Sequence, residues 1–139
     1  MALPTHIQLQ IVSADRMLVN EQVDEVEVPG ADGYFGVLPG HTPLLAALQV
    51  GQLSYRRGSE TTYLLIAFGF AEVQPEQVTI LAQVAERADD IDVARAEAAK
   101  RRAEERLSKT AYIDFERARI ALLKSLIRLQ VASRARIRS

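Results

Sequence analysis

The sequence predicts an α+β fold, in which an N-terminal antiparallel β-sandwich is followed by a C-terminal antiparallel two-helix hairpin. Short apolar segments with a period of two, separated by glycine and proline, run from residue 5 to residue 82, a pattern typical of small antiparallel sandwiches or barrels. From residue 91 onward the chain has no glycine and no proline and is rich in Ala, Arg, Glu and Lys, which favour helices.

The charge distribution divides the chain at the same place. Residues 1–86 contain ten acidic and three basic side chains, whereas residues 87–139 contain eight acidic and fourteen basic ones. We therefore predict a sandwich domain over residues 1–86 and a helical domain over residues 87–139. The chain has no cysteine, which excludes disulfides and thiolate chemistry. No apolar run is long enough to span a bilayer, so we expect no direct membrane insertion.

The strands are predicted from alternation and turn signals. Over residues 5–12, Ile7, Leu9 and Ile11 alternate with glutamines, which indicates a half-buried strand. Further short strands are predicted at residues 17–19, 26–28, 34–38, 44–48, 51–57, 61–68, 70–73 and 78–82, with turns at 57–60 and 74–76.

Residues 26–45 are dense in glycine and proline, with short β-compatible segments between them. Glycine permits a positive φ and proline fixes φ, so this composition specifies a series of turns. Because loops on a rigid scaffold often carry function, we predict that the tips of these turns form a surface that meets another molecule.

The first helix is predicted over residues 91–107, capped by Asp89 or Asp90 and with Asp92 in its first turn. Its apolar stripe consists largely of alanines, which let another helix approach closely but bury little area. We therefore expect this helix to need a partner. The stripe contains Ala96, Ala99, Ala103 and Leu107.

The second helix has two apolar stripes, about 140° apart at helical spacing, although a surface helix needs only one. We expect one stripe to pack on the first helix and the other on the sandwich, with the second also available to another protein at times. Thr110 or Asp114 is expected to cap this helix. The stripes are Phe115, Ala118, Leu122, Leu126 and Leu129, and Ile120, Leu123, Ile127 and Val131; Arg117, Lys124 and Arg128 share the remaining face.

Catalytic chemistry has little support in the sequence. His6 and His41 are the only histidines, and no His, Asp or Glu cluster has metal-ligand spacing. The glycines of residues 30–40 are not followed by a helix that could hold a phosphate. We therefore predict no catalytic residue and no metal site.

These residues resemble the epsilon subunit of F-type ATP synthases, which is called delta in mitochondria. The likeness runs over essentially the whole chain. It rests on three segments. The first begins at Val28-Pro29-Gly30, includes Gly33 and Gly36, and ends with the run Leu-Pro-Gly-His-Thr-Pro-Leu-Leu at residues 38–45. The second is residues 72–75 with 78–81, and the third is residues 91–96, which fit the motif I/L-D-x-x-R-A.

The resemblance implies a non-catalytic central-stalk subunit that couples the gamma subunit to the c-ring in proton-driven ATP synthesis. It places the turns of residues 29–36 at the c-ring and His41 near gamma, although Tyr34 replaces a charged residue that some relatives carry. It implies a peripheral location on the cytoplasmic face of a bacterial plasma membrane, or on the stromal thylakoid face. The implied interface residues are Gly30, Asp32, Gly33, Tyr34 and His41.

The resemblance also implies that the hairpin is regulatory. It can leave the sandwich, extend along gamma and inhibit ATP hydrolysis, with Arg117, Lys124 and Arg128 directed at the beta (and alpha) subunits. No cofactor is required, but a regulatory ATP is implied for the motif. Its candidate ligands are Glu86, Ile91, Asp92, Arg95 and Ala96. The alternative is that Asp92 only caps the helix and Arg95 only forms an ion pair.

A nucleic-acid-binding module is the competing function, because Arg134, Arg136 and Arg138 give the chain a basic tail. These arginines have no aromatic residues between them, and the acidic sandwich would repel a polyanion. A free-standing β-sandwich enzyme is disfavoured by the missing catalytic groups.

Overall fold

The structure is a computed structural model that describes residues 3–109 and 115–138, with side chains up to residue 135. Within these residues no helix is long and apolar enough to cross a membrane. The elements are β1 (Ile7–Val12), β2 (Met17–Val23), β3 (Glu25–Gly30), β4 (Gly33–Val37), β5 (Leu44–Arg57), β6 (Glu60–Val73), β7 (Gln77–Arg87), a 3-10 turn (Ala88–Asp90), α1 (Val93–Ser108) and α2 (Phe115–Arg138).

The seven strands form one continuous sheet in the order β2-β1-β7-β6-β5-β3-β4. Buried side chains from all seven strands meet in a single core, so the sheet folds over on itself as a sandwich. Ile7, Leu9 and Ile11 of β1 are completely buried, as their alternation predicts. The predicted fold class, a β-sandwich followed by a two-helix hairpin, is confirmed.

One strand pair departs from the predicted antiparallel arrangement. Strand β1 pairs with β7 in parallel, with Gln8 opposite Gln77 and Val12 opposite Leu81. Alternation shows which face of a strand is buried but carries no information about the direction of its neighbour, so this pairing was not available from the pattern.

Four of the predicted short strands prove to be halves of two long ones. Residues 44–48 and 51–57 belong to β5, and residues 61–68 and 70–73 belong to β6. Gly51 does not break β5, since its missing side chain leaves room for a neighbouring strand: a Cβ there would lie 2.6 Å from the Cβ of Pro29. Strand β7 likewise continues beyond the predicted end at residue 82.

The first helix begins two residues later than expected. Asp89 and Asp90 lie in the 3-10 turn and do not cap α1, so that prediction is wrong. The N-cap is Asp92, whose Oδ1 accepts a hydrogen bond of 3.1 Å from the backbone N–H of Arg95. The two caps expected for α2, Thr110 and Asp114, lie outside the described residues.

Helix α2 holds the hairpin to the outer face of the sheet. Leu123, Ile127 and Val131 pack into a second hydrophobic cluster with residues of β5 and β6, which we call the outer cluster. The prediction that one of the two stripes meets the sandwich is confirmed, through these three residues. Helix α1 packs along α2, with Ala96 and Ala103 buried.

The other stripe of α2 is only partly covered. Ala118 is buried, whereas Phe115 is 50% and Leu126 is 42% exposed. The small side chains of α1 therefore cover the middle of this stripe but leave larger apolar groups at the surface.

Candidate functional site

The turn between β3 and β4 is a tight hairpin built on two glycines. Gly30 pairs with Gly33, and a Cβ at Gly30 would lie 2.7 Å from the carbonyl oxygen of Gly33. Gly33 has a φ of 134°, which disfavours any other residue. The N–H of Ala31 donates to the carbonyl of Ala47 at 2.8 Å, so the turn is fixed to β5 while Asp32 is exposed at its tip.

The hydroxyl of Tyr34 forms a hydrogen bond within the molecule. Its hydroxyl oxygen accepts a hydrogen bond of 2.9 Å from the backbone N–H of Gln52, and it lies where a side chain at Gly51 would be. The ring remains 49% exposed. Tyr34 therefore exposes apolar surface in place of a charge, while its hydroxyl helps to hold the turn on β5.

The structure brings four of the five predicted interface residues together. Gly30, Asp32, Gly33 and Tyr34 line an open groove of ≈ 420 Å³, completed by Ala31, Phe35 and residues 44–47. His41 does not line this groove. It follows a neighbouring turn, in which the N–H of Gly40 donates to the carbonyl of Pro75 at 2.8 Å. Its Nδ1 lies 2.6 Å from the carbonyl oxygen of Thr42.

An exposed apolar row crosses the outer surface of the sheet, and the sequence patterns did not single it out. Register places Ala47 opposite Phe70, Phe70 opposite Leu81, Leu81 beside Val12 and Val12 opposite Met17. We call these five residues the apolar row. Phe70, Leu81 and Met17 are 56%, 53% and 50% exposed. The sequence did contain one indication of it. Phe70 and Leu81 are large apolar residues at the alternate strand positions whose side chains point away from the core.

The motif residues 91–96 span the end of the 3-10 turn, the N-cap of α1 and its first turn. Ile91 is buried in the outer cluster, and Ala96 is buried against α2 in the hairpin. Asp92 is occupied as the N-cap, as the alternative interpretation of this motif expects. Arg95 is exposed, and the described part of the chain shows no ion pair for it, so the second half of that interpretation is not supported.

Glu86, the fifth candidate ligand of ATP, is paired with helix α2. The Nε of Arg128 donates to Oε1 of Glu86 at 2.6 Å, and the two side chains are only 26% and 29% exposed. This ion pair joins the end of β7 to the middle of α2. A nucleotide that used either group would have to compete with the pair.

The predicted basic face of α2 is turned toward the sheet for part of its length. Besides the contact of Arg128, the Nζ of Lys124 lies 5.9 Å from the centroid of the Phe68 ring. Arg117 is exposed. Two of the three cations that were expected to meet other subunits are therefore engaged within this chain.

The basic tail continues these contacts. The guanidinium of Arg134 lies 5.2 Å from the centroid of the Tyr63 ring, whereas the side chains of Arg136 and Arg138 are not described. An arginine that stacks on its own domain is less available to phosphate, which disfavours the nucleic-acid-binding alternative.

A cluster of charges lies beside the β5–β6 turn. Asp24 accepts a hydrogen bond of 2.7 Å from the backbone N–H of Gly58 and lies 3.2 Å from Nδ1 of His6 and 3.6 Å from Nη1 of Arg56. These contacts, chiefly the Gly58 hydrogen bond, hold the pKa of the Asp24 carboxyl below its usual range. The cluster fixes the β2–β3 corner to the β5–β6 turn.

Comparison with known protein families identifies both halves of the chain. Residues 6–88 match the family described as ATP synthase, Delta/Epsilon chain, beta-sandwich domain. Residues 89–133 match the family described as ATP synthase, Delta/Epsilon chain, long alpha-helix domain.

Curated relatives are similar over nearly their whole length. The chain is 49% identical to the ATP synthase epsilon chain of Syntrophobacter fumaroxidans, covering 92% of this chain and 96% of that one. It is 46% identical to the ATP synthase epsilon chain of Nitratidesulfovibrio vulgaris, covering 93% and 97%.

A solved structure shares the fold. A chain in the mitochondrial ATP synthase of Euglena gracilis, solved as OSCP, F1 and c-ring in rotational state 1, superimposes with a TM-score of 0.82 and 24% identity. The match covers 99% of this chain and 84% of that one.

Proposed function

This chain belongs to the delta/epsilon chain family of ATP synthases, and from that premise we propose that it is the non-catalytic epsilon subunit in the central stalk of an F-type enzyme. In this proposal residues 1–86 bind the gamma subunit and the c-ring and couple them during proton-driven synthesis. Residues 87–139 regulate hydrolysis. The subunit lies peripherally on the cytoplasmic face of a bacterial plasma membrane, or on the stromal thylakoid face.

The observation that carries the rotor-binding part is the exposed apolar surface of the sandwich. The apolar row exposes large side chains such as Phe70 and Leu81, and contiguous exposed apolar surface usually marks an interaction site. The groove at the β3–β4 turn shares Ala47 with the row and extends this surface with Tyr34, Leu44 and Leu45. A rotor subunit that meets both gamma and the c-ring needs an extended surface of this kind.

Charge placed in the apolar row tests this docking. Leu81→Glu should weaken binding to gamma by about tenfold or more, because a carboxylate would be buried in an apolar contact. Ala94→Glu is the matched control, since it adds the same charge to an exposed position on α1. Binding is measured by titration of purified gamma. Equal affinity of the two variants for gamma would show that the apolar row is not part of the gamma interface. A wild-type chain that binds neither gamma nor the c-ring would contradict the proposed function.

The regulatory part is supported by the separation of the two hydrophobic clusters. The sandwich core is formed by strands alone, and α2 contributes only to the outer cluster. The hairpin can therefore detach without opening the core. Because Lys124 and Arg128 contact the sheet when the hairpin is docked, they can bind beta or alpha subunits only after release.

Truncation tests this regulation directly. A chain that ends at Ala88 keeps all seven strands, and we expect it to assemble with gamma and the c-ring while the ATPase activity of the complex rises. Assembly is checked by copurification and activity by ATP hydrolysis. Normal assembly with unchanged ATP hydrolysis would contradict the inhibitory role of the hairpin but not the proposed role of the sandwich in the rotor.

A regulatory ATP remains a proposal for residues 91–96 with Glu86. The exposed guanidinium of Arg95 and the pair of Glu86 with Arg128 supply charged groups near the start of α1 and the end of β7. Calorimetry of the full chain with millimolar ATP should show binding that Arg95→Gln weakens. No heat up to that concentration would exclude nucleotide regulation of this chain.

A further inference from the structure

Phe68 interrupts strand β6 with a backbone conformation that phenylalanine rarely adopts. Its φ is 61°, in the left-handed region, and it is the only non-glycine residue with a positive φ within the described ranges. The strand register skips it, since Ala67 pairs with Val50 and Gly69 pairs with Leu48. A strained conformation of this kind persists only where the surrounding structure maintains it.

The conformation places two successive side chains on one face of the sheet. In a regular strand neighbouring side chains point to opposite faces. Ala67 is buried in the outer cluster, so a regular strand would turn Phe68 toward the sandwich core. Instead Phe68 also packs against the outer cluster, and Ile66 remains in the core.

The ring that is turned outward meets helix α2. It packs against the outer cluster, to whose buried part α2 contributes Val131 and Ala132, and the Nζ of Lys124 lies 5.9 Å from its centroid. A cation at that distance from an aromatic face is attracted to it. Phe70, two residues further along the same strand, is 56% exposed and lies outside this cluster.

We propose that Phe68 is the anchor of the hairpin, and that the docked helix α2 maintains the left-handed backbone at this position. This deepens the proposed regulation, since it names the residue that sets the balance between the docked and released hairpin. When α2 leaves, the ring loses the apolar groups that α2 supplies and the Lys124 ammonium, and only the sheet residues of the outer cluster remain to offset the strain. The backbone of β6 and the position of the hairpin are thus coupled at one residue.

Three single variants of the full chain test the coupling by native-state hydrogen exchange. Phe68→Gly removes the ring and also relieves the strain, so α2 amides should exchange about tenfold faster or more while sheet amides stay as protected as in the wild type. Phe68→Ala also removes the ring but keeps a side chain at a positive φ, so both α2 and the sheet should lose protection. Phe70→Ala, the matched control, should leave α2 unchanged.

The outcomes separate cleanly. If α2 exchange in Phe68→Gly equals the wild type, or if Phe70→Ala accelerates it equally, the anchor role is overturned. If Phe68→Gly lowers the protection of α2 and of the sheet equally, Phe68 only stabilises the whole fold, and the proposal is also overturned. Because exchange is measured on the isolated chain, it does not depend on whether the hairpin inhibits an ATPase.

Discussion

Breaking the ion pair between Glu86 and Arg128 measures how strongly polar contacts hold helix α2 on the sheet. The pair spans the two domains, joining the end of β7 to the helix through a direct Nε–Oε1 contact of 2.6 Å. We propose a double-mutant cycle with Glu86→Gln, Arg128→Gln and the double variant. The quantity of interest is the coupling free energy for docking of the hairpin.

The expected coupling follows from the burial of the two side chains. Exposed ion pairs contribute about 0.2–1 kcal/mol, and removing one partner of a fully buried pair costs about 3–5 kcal/mol. Here 26% and 29% of the side chains are exposed, so we expect about 1–2 kcal/mol for a short charge-assisted bond. Because 1.4 kcal/mol corresponds to a factor of ten, this coupling corresponds to a change of about five- to thirtyfold in the released population.

Native-state hydrogen exchange of α2 amides is the assay. The matched control is the pair of Glu116 with Arg119, three residues apart on α2 and 68% and 55% exposed, whose coupling should be smaller because water screens exposed ion pairs. The coupling of Glu86 with Arg128 should shrink at 1 M salt, where charges are screened within about 3 Å. A coupling no larger than the control at low salt would refute the reasoning.

Two further predictions concern the sandwich. Gly69→Ala should lower the free energy of unfolding by about 2–4 kcal/mol, because φ is 126° and a Cβ would overlap the carbonyl oxygen of Leu81. Gly36→Ala, where a Cβ meets nothing within 4 Å, is the control in urea titrations, and equal losses would contradict the steric argument. Asp24→Asn should lower stability at neutral pH, because the carboxylate accepts from Gly58 and its pKa is lowered from 3.8. This contribution is present above the unfolded pKa and is lost as pH falls through the folded one, so wild type and variant should converge in acid; a constant difference would contradict it.

Much of the fold was available from the sequence because side-chain periodicity records burial directly. The alternation at Ile7, Leu9 and Ile11 gave β1, and the second stripe on α2 indicated a helix packed on two surfaces. Residues 61–68, apolar nearly throughout, belong to a strand covered on one face by the core and on the other by α2. The direction and length of strands were less accessible, since they depend on non-local pairing.

The candidate site was predictable where a residue type is tied to backbone geometry. Gly30 and Gly33 form the turn that their spacing indicates. The contacts of Glu86 with Arg128, and of Lys124 with Phe68, depend on how α2 lies across the sheet and leave no local signature. The pattern predicts an ordinary strand residue at Phe68, because a left-handed backbone that tertiary packing maintains has no local signal.

The parallel pairing of β1 with β7 also determines when this protein can fold during synthesis. Gln8 cannot meet its partner until Gln77 has left the ribosome, so the earliest strand waits for the last strand of the sandwich. Such distant pairing makes closure of the sheet slow. The hairpin follows the last strand along the chain, so the sheet residues on which it docks leave the ribosome before it does.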